Sequence, residues 1–203
     1  MLTILFAVSS CTSCSDSKKN HSKGDINPMV EELDTTPDSA LIVRLDDITA
    51  DSLYVMPRKT GIPTAYAYAD AKAQGKIKGS LTKGNLYSIF PDSKTKNVLI
   101  AINTTEMSGQ WFYDQNEHRG FRFEERGALS SINAKTISFR EWKLLNGQLY
   151  IYYVDMQQAA DDRHEYEVEE ADILSLTKDE LTLQFRGATL HCKRQTAPIK
   201  FKF

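Results

Sequence analysis

The 203-residue chain has room for one domain or two small ones. A formal net charge of −2, with bases scattered among acids, provides no global field to hold nucleic acid or anionic lipid. A hydrophobic content of 41% is ordinary for a globular fold, and no apolar run approaches the roughly 18 residues of a membrane-spanning helix.

Leu2 to Val8 is a short apolar run ending in the small residues Ser9 and Ser10, the shape of a secretory hydrophobic region with its cleavage site. Val8-Ser9-Ser10-Cys11 resembles the lipobox of bacterial lipoproteins. The resemblance implies a signal peptide over residues 1–10 and a lipidated Cys11 that carries a diacylglyceryl thioether and a palmitate-type acyl group on its amine. Several chains together hold a protein firmly on a membrane, at about 0.8 kcal/mol per buried methylene. The implied partner is thus a membrane and the implied location the cell envelope, at the outer membrane, with the face left open. No Lys or Arg precedes the run; a start upstream of Met1 would supply one, and the other reading is that the segment is no signal. Cys14, preceded by Cys11-Thr12-Ser13, fits the lipobox less well.

Residues 11–38 are rich in Ser, Lys, Asn, Asp and Pro and poor in aromatics. Such a stretch cannot bury enough apolar surface to offset its ordering entropy, and it reads as a flexible tether of mean reach roughly 30 Å. Asp38-Ser39-Ala40 and Asp51-Ser52-Leu53 resemble a short acceptor motif for bacterial O-glycosylation, a pattern short enough to arise often by chance.

The predicted fold class is all-β, in two parts. Residues 39–105 carry strands at Ala40–Leu45, Ser52–Met56, Thr64–Tyr68, Ile77–Leu81, Leu86–Phe90 and Asn97–Ile102. One short helix is expected over Ala69–Gln74, ended by Gly75. Five or six short strands and a helix suggest a small open barrel of OB-like type. Lys72, Lys76, Lys78 and Lys83 lie beside Tyr66 and Tyr68, but in a helix and a turn they read as a solvated face rather than a nucleic-acid groove.

Asn103 to Ser108 reads as a polar joint. Beyond it, strands recur every 8–12 residues, from Gly109-Gln110-Trp111 to Ala188–Lys193, the spacing of an all-β barrel or sandwich. Asn146-Gly147 is a strong hairpin signal between the strand of Ile137, Phe139 and Trp142 and that of Leu149–Val154. His164–Glu169 and Ile173–Leu176 are expected as separate strands. Gly109-x-Trp111 resembles the G-x-W signature of lipocalins. With Gly120-Phe121-x-Phe123, Ser131-Ile132-Asn133 and Trp142-Lys143, residues 106–203 resemble a lipocalin-like family of envelope lipoproteins. The resemblance implies an up-and-down antiparallel barrel that binds a small apolar ligand, with Trp111, Phe121, Phe123, Phe139 and Ile151 as the tentative lining. Trp111 would then plug one end, stacked on Arg186 or Arg194, while Trp142, between Glu141 and Lys143, is expected to be partly exposed. The alternative is a structural or interaction lipoprotein, with a filled barrel and protein or glycan partners.

No catalytic constellation, cofactor motif or metal site emerges. Cys11, Cys14 and Cys192 form no disulfide framework, and Cys11-x-x-Cys14 lacks the second pair of a zinc site. His118, His164 and His191 lack ligand spacing. His191 and Cys192, adjacent on a strand, point to opposite faces, which leaves Cys192 a small core residue. Glu165, Glu167 and Glu169 alternate with Tyr166 and Val168 and read as a solvated face. Asp161-Asp162 lacks the ligand spacing of a calcium loop. Leu149 to Val154 is apolar on both faces, so one side should line the barrel and the other should meet the first domain, a partner or a ligand.

Overall fold

The computed structural model describes residues 40–157 and 166–194. Expectations for Cys11, Cys14, the tether, Ser39, Asp161-Asp162, His164 and Glu165 lie outside the described residues.

The first sheet comprises β1 (Leu41–Ile48), β2 (Ser52–Pro57), β3 (Thr64–Ala67), β4 (Ile77–Lys78), β5 (Leu86–Pro91) and β6 (Val98–Asn103), with helix α1 (Ala69–Ala73) after β3. Its order is β3-β2-β1-β5-β6-β4, and a parallel bridge from Ala67 to Asn97 brings β3 back against the start of β6. The circuit β1-β2-β3-β6-β5 is therefore that of a small, partly open OB-like barrel. Period-two alternation turns Val43, Leu45, Leu53 and Val55 inward, where they pack with Tyr66, Tyr68, Tyr87 and Ile89. Tyr66 and Tyr68 belong to this core, whereas Lys72 and Lys76 are exposed. Gly75, at φ +65°, stops α1 by taking a left-handed turn that most residues resist.

Helix α2 (Thr104–Met107) leads into a second sheet: β7 (Gly109–Tyr113), β8 (Asn116–Phe123), β9 (Leu129–Ile132), β10 (Ile137–Leu145), β11 (Gln148–Asp155), β12 (Glu167–Leu176), β13 (Glu180–Phe185) and β14 (Ala188–Arg194). Each strand pairs antiparallel with its chain neighbour except β9 with β10, and β14 returns to pair with β7. The β9–β10 seam is bridged instead by Ala128 with Glu141, by Trp142 N–H donating to Gly127 O at 2.8 Å, and by the Ser131 hydroxyl, which accepts from Phe139 N–H at 2.8 Å and donates to Ile137 O at 3.1 Å. The result is a nearly closed, eight-stranded up-and-down barrel.

An eight-stranded barrel is just wide enough for its own side chains to fill, and here they do. Trp142, Phe123, Phe121, Phe139, Phe185 and Tyr153 form a continuous run of aromatic contacts with ring centroids 5.3–5.9 Å apart, mostly edge to face.

Four sequence expectations are corrected. Trp142 is buried, because a bulge between Phe139 and Glu141 shifts the alternation and turns the indole inward, where its N–H donates to Glu124 O at 3.0 Å. The two strands expected between His164 and Leu176 are one strand, β12, bulged between Ile173 and Ser175. Glu167 and Glu169 share the face of their partners Tyr153 and Ile151, so they lie on the inward side at the barrel rim and not on a solvated outer face. The joint at 103–108 holds α2 and the fully buried Asn103 and Met107.

The two barrels meet through Lys78 Nζ donating to Leu174 O at 3.1 Å, Gly79 N–H donating to Leu176 O at 3.1 Å, and Ile100 against Gly147. The outer face of β11 is not among these contacts; there the Lys143 ammonium lies 4.8 Å from the centroid of Tyr152.

Candidate functional site

The two ends of the eight-stranded barrel differ. At one end Trp111 is fully buried, and its indole N–H donates to Met107 O at 2.8 Å. Arg194, from the last strand, stacks on the ring with its guanidinium carbon 4.2 Å from the centroid. The guanidinium also donates to Lys178 O at 2.7 Å, to Ser108 O at 2.8 Å and to Glu106 O. Gly109 makes the room, since a Cβ there would lie 2.2 Å from Arg194 Nη1. This end is shut by a cation on an aromatic plug. Of the two arginines expected over Trp111, Arg194 occupies the place; Arg186 stacks on Tyr153 at the opposite end, 5.1 Å from its centroid.

The opposite end is an open mouth. Ile137 and Phe139 of β10, Phe185 and Leu190 of the β13–β14 hairpin, and Tyr113 of β7 surround a cavity of about 160 Å³. Arg119 and Arg186 stand on its rim. The β13–β14 turn is tight, with Phe185 paired to Ala188 and Arg186 at φ +52°, a left-handed conformation uncommon for arginine. Arg186 is held there by Asp155 at 3.4 Å, Glu169 at 3.9 Å and the Tyr153 ring. The Tyr153 hydroxyl donates to Glu167 at 2.7 Å, and burial together with that bond pushes its pKa upward.

The barrel wall is notched beside this mouth. β7 pairs with β14 only from Trp111–Arg194 to Tyr113–Cys192, then turns at Asp114, whereas β14 runs on to Ala188. A second cavity, of about 400 Å³, lies against the notch and is lined by Asp114, Asn116, Thr189 and His191. Tyr113, Arg119 and Leu190 border both cavities. Gly120 is required at this corner, because a Cβ on it would lie 1.9 Å from Trp111 O. Burial pushes the Tyr113 phenol up to about 12 and keeps it a neutral hydroxyl.

Of the five residues expected to line a ligand site, only Phe139 borders the mouth; Trp111, Phe121, Phe123 and Ile151 are packed in the interior. Sequence reasoning missed Tyr113, Arg119, Phe185 and Leu190. A signal existed for Arg119: period two from Phe121 and Phe123 places it on their inward face, an unusual place for a cation. His118 and His191 stand on the surface, and His191 Nδ1 lies 3.5 Å from the Thr182 hydroxyl. Cys192 is buried in the core. Ser52, half-buried at the start of β2, bonds through its side chain to Asp51. Among the described residues, no three His, Cys, Asp or Glu side chains are grouped so as to hold a metal ion.

A nearly closed meander barrel with one plugged end and one open mouth is consistent with a lipocalin-like fold. Residues 103–195 match the family model described as lipocalin-like. A solved structure of a lipocalin-like protein from Bacteroides thetaiotaomicron VPI-5482 is similar at 26% identity, over 44% of this chain and 97% of that one, with a TM-score of 0.36. No curated protein matches the chain.

Proposed function

We propose that the protein is a lipid-anchored envelope protein whose lipocalin-like barrel captures a small, largely apolar ligand at its open mouth. It acts by binding, without catalysis. The observation that carries this reading is the asymmetry of the barrel. One end is shut by Trp111 and Arg194, while the other presents an apolar cup of about 160 Å³ floored by Phe139 and Phe185. Concave apolar sites with a few polar groups at the rim are the usual form of small-molecule sites. The lipobox-like Cys11 and the polar stretch after it support the anchor and a tether to the outer membrane.

A second reading has an observation of its own. The interior around Phe121 and Ile151 is filled, as in a barrel that serves as a scaffold for protein or glycan partners. Native mass spectrometry of the protein purified from its own envelope separates the two. A retained small molecule, lost when Leu190→Trp fills the cup, supports the ligand reading. A co-purifying macromolecule with no small molecule supports the scaffold.

A further inference from the structure

Arg119 is the one rim charge without a counterpart. Arg186 is neutralised by Asp155 and Glu169, and Asp114, the carboxylate of the outer cavity, is held by Lys193 at 3.1 Å. Among the described residues no carboxylate lies within ion-pair distance of Arg119. Its Nε is the one side-chain nitrogen or oxygen there that is buried with no hydrogen-bond partner. A buried, unsatisfied guanidinium N–H is costly, and folded proteins rarely keep one without a use. Its residue also stands at a particular place, since Arg119 borders both the apolar cup and the outer cavity beside the notch.

We propose that Arg119 is an anion anchor, and that the mouth selects small amphipathic carboxylates over neutral molecules of the same shape. The inference rests on the ligand-binding reading above and gives it a substrate class. The size follows from the cup: a cavity of about 150 Å³ holds one benzene ring, so the apolar end is a single ring or a chain of about six carbons. The head group follows from the guanidinium, whose planar fork matches a carboxylate and forms charge-assisted bonds stronger than neutral ones. With the apolar end on Phe139 and Phe185, the carboxylate lies at the wall shared by the two cavities. Tyr113, neutral and bordering both, adds no competing charge.

The test is isothermal titration of the purified full chain at pH 7 with sodium hexanoate and sodium benzoate. Their neutral counterparts, 1-hexanol and benzyl alcohol, and the long-chain acid palmitate are run alongside. The two small acids should bind about tenfold or more tighter than the alcohols. Arg119→Gln should bring them down to the level of the alcohols, and Arg119→Lys should restore part of the preference. Because Arg119→Gln removes an unsatisfied buried group, its Tm should stay at or above the parent's; a clear fall would assign Arg119 a structural role and overturn the proposal. Acids and alcohols binding equally, or a preference that survives Arg119→Gln, would overturn the anchor and leave the ligand-binding mouth standing. Palmitate far tighter than hexanoate would overturn the size limit and point to membrane acyl chains as the source. No binding by any of the five would overturn both the anchor and the ligand-binding reading.

Discussion

The guanidinium of Arg194 lies over the indole of Trp111, its carbon 4.2 Å from the ring centroid, and this pair joins the first strand of the eight-stranded barrel to its last. Removing either partner therefore loosens closure as well as packing. Trp111→Ala deletes a large, fully buried ring and should cost about 3–5 kcal/mol. In a chain of this size that lowers Tm by on the order of 10 °C. Arg194→Leu loses the stacking and leaves Ser108, Glu106 and Lys178 carbonyls without their donor, a cost of roughly 2 kcal/mol or more. Thermal unfolding of both variants and of the double variant measures the coupling. Additive losses would mean that the stacked geometry contributes nothing of its own.

Much of this was legible in the sequence. Alternating apolar residues and turn signals located the strands, and Asn146-Gly147 forms the predicted tight turn, both residues at positive φ between Leu145 and Gln148. The resemblance carried by Gly109-x-Trp111 implied a plugged end with Arg186 or Arg194 over the indole; Arg194 takes that place and Arg186 does not. The bulges were not legible. Nothing in Phe139-Arg140-Glu141-Trp142 announces that the alternation slips by one, so Trp142 read as partly exposed. The inward side of β12 was also hidden, because Glu167 and Glu169 are acceptable there only once Arg186 and Tyr153 arrive from distant strands. The mouth escaped for the same reason: it is assembled from residues of six strands, β7 to β10 with β13 and β14, that come together only in the folded barrel.

Alkaline pH should unfold the protein in a defined window. Burial raises the phenols of Tyr87 and Tyr113 from 10.0 to about 12 and the Cys192 thiol from 9.0 to about 12. Each group is neutral when protonated, and its folded pKa lies above its unfolded value. The stability it contributes is therefore complete below about pH 9 and is lost as pH rises through 12. Urea midpoints should hold steady from pH 7 to 9 and fall beyond, with tyrosine ionisation by absorbance tracking unfolding. At pH 8 the Cys192 peptide should resist alkylation until denaturant is added. Ready labelling of the native protein would contradict the burial argument.

The proposed lipid anchor has a direct test. A thioether-linked diacylglycerol and an N-acyl chain place enough methylenes in a bilayer to make release slow. Cys11→Ala, expressed in the native envelope, should pass from the membrane fraction to the soluble one. Cys14→Ala should remain with the membrane. Membrane retention of the Cys11→Ala variant would sink the lipobox reading and point to another means of attachment.

The last prediction concerns Asn103, the residue that ends β6 of the first barrel and caps the helix that starts the second. It is fully buried, and both polar atoms of its side chain are hydrogen-bonded. Its amide nitrogen donates to Ser80 O at 2.8 Å and to the Tyr87 hydroxyl at 3.1 Å, and its amide oxygen accepts from Glu106 N–H at 2.9 Å. Tyr87 in turn donates to Ser80 O at 2.6 Å, and Ser80 N–H donates to the Glu106 carboxylate at 2.8 Å. One side chain thus ties the loop before β5, the β5 strand and the first turn of α2 into one network. Asn103→Ala loses an N-cap, about 1 kcal/mol, and orphans buried groups at about 1–3 kcal/mol each. A total loss of about 3 kcal/mol is expected in chemical denaturation. Asn103→Asp keeps the cap oxygen but replaces the donor with a second acceptor against Ser80 O and Tyr87, so it should rescue little at neutral pH. Lowering pH should stabilise Asn103→Asp relative to the parent, because a protonated carboxyl regains one donor and sheds a buried charge. Under this argument the two unfolding midpoints converge as pH falls from 7 toward 4; a constant gap would show that the network is not what holds the joint.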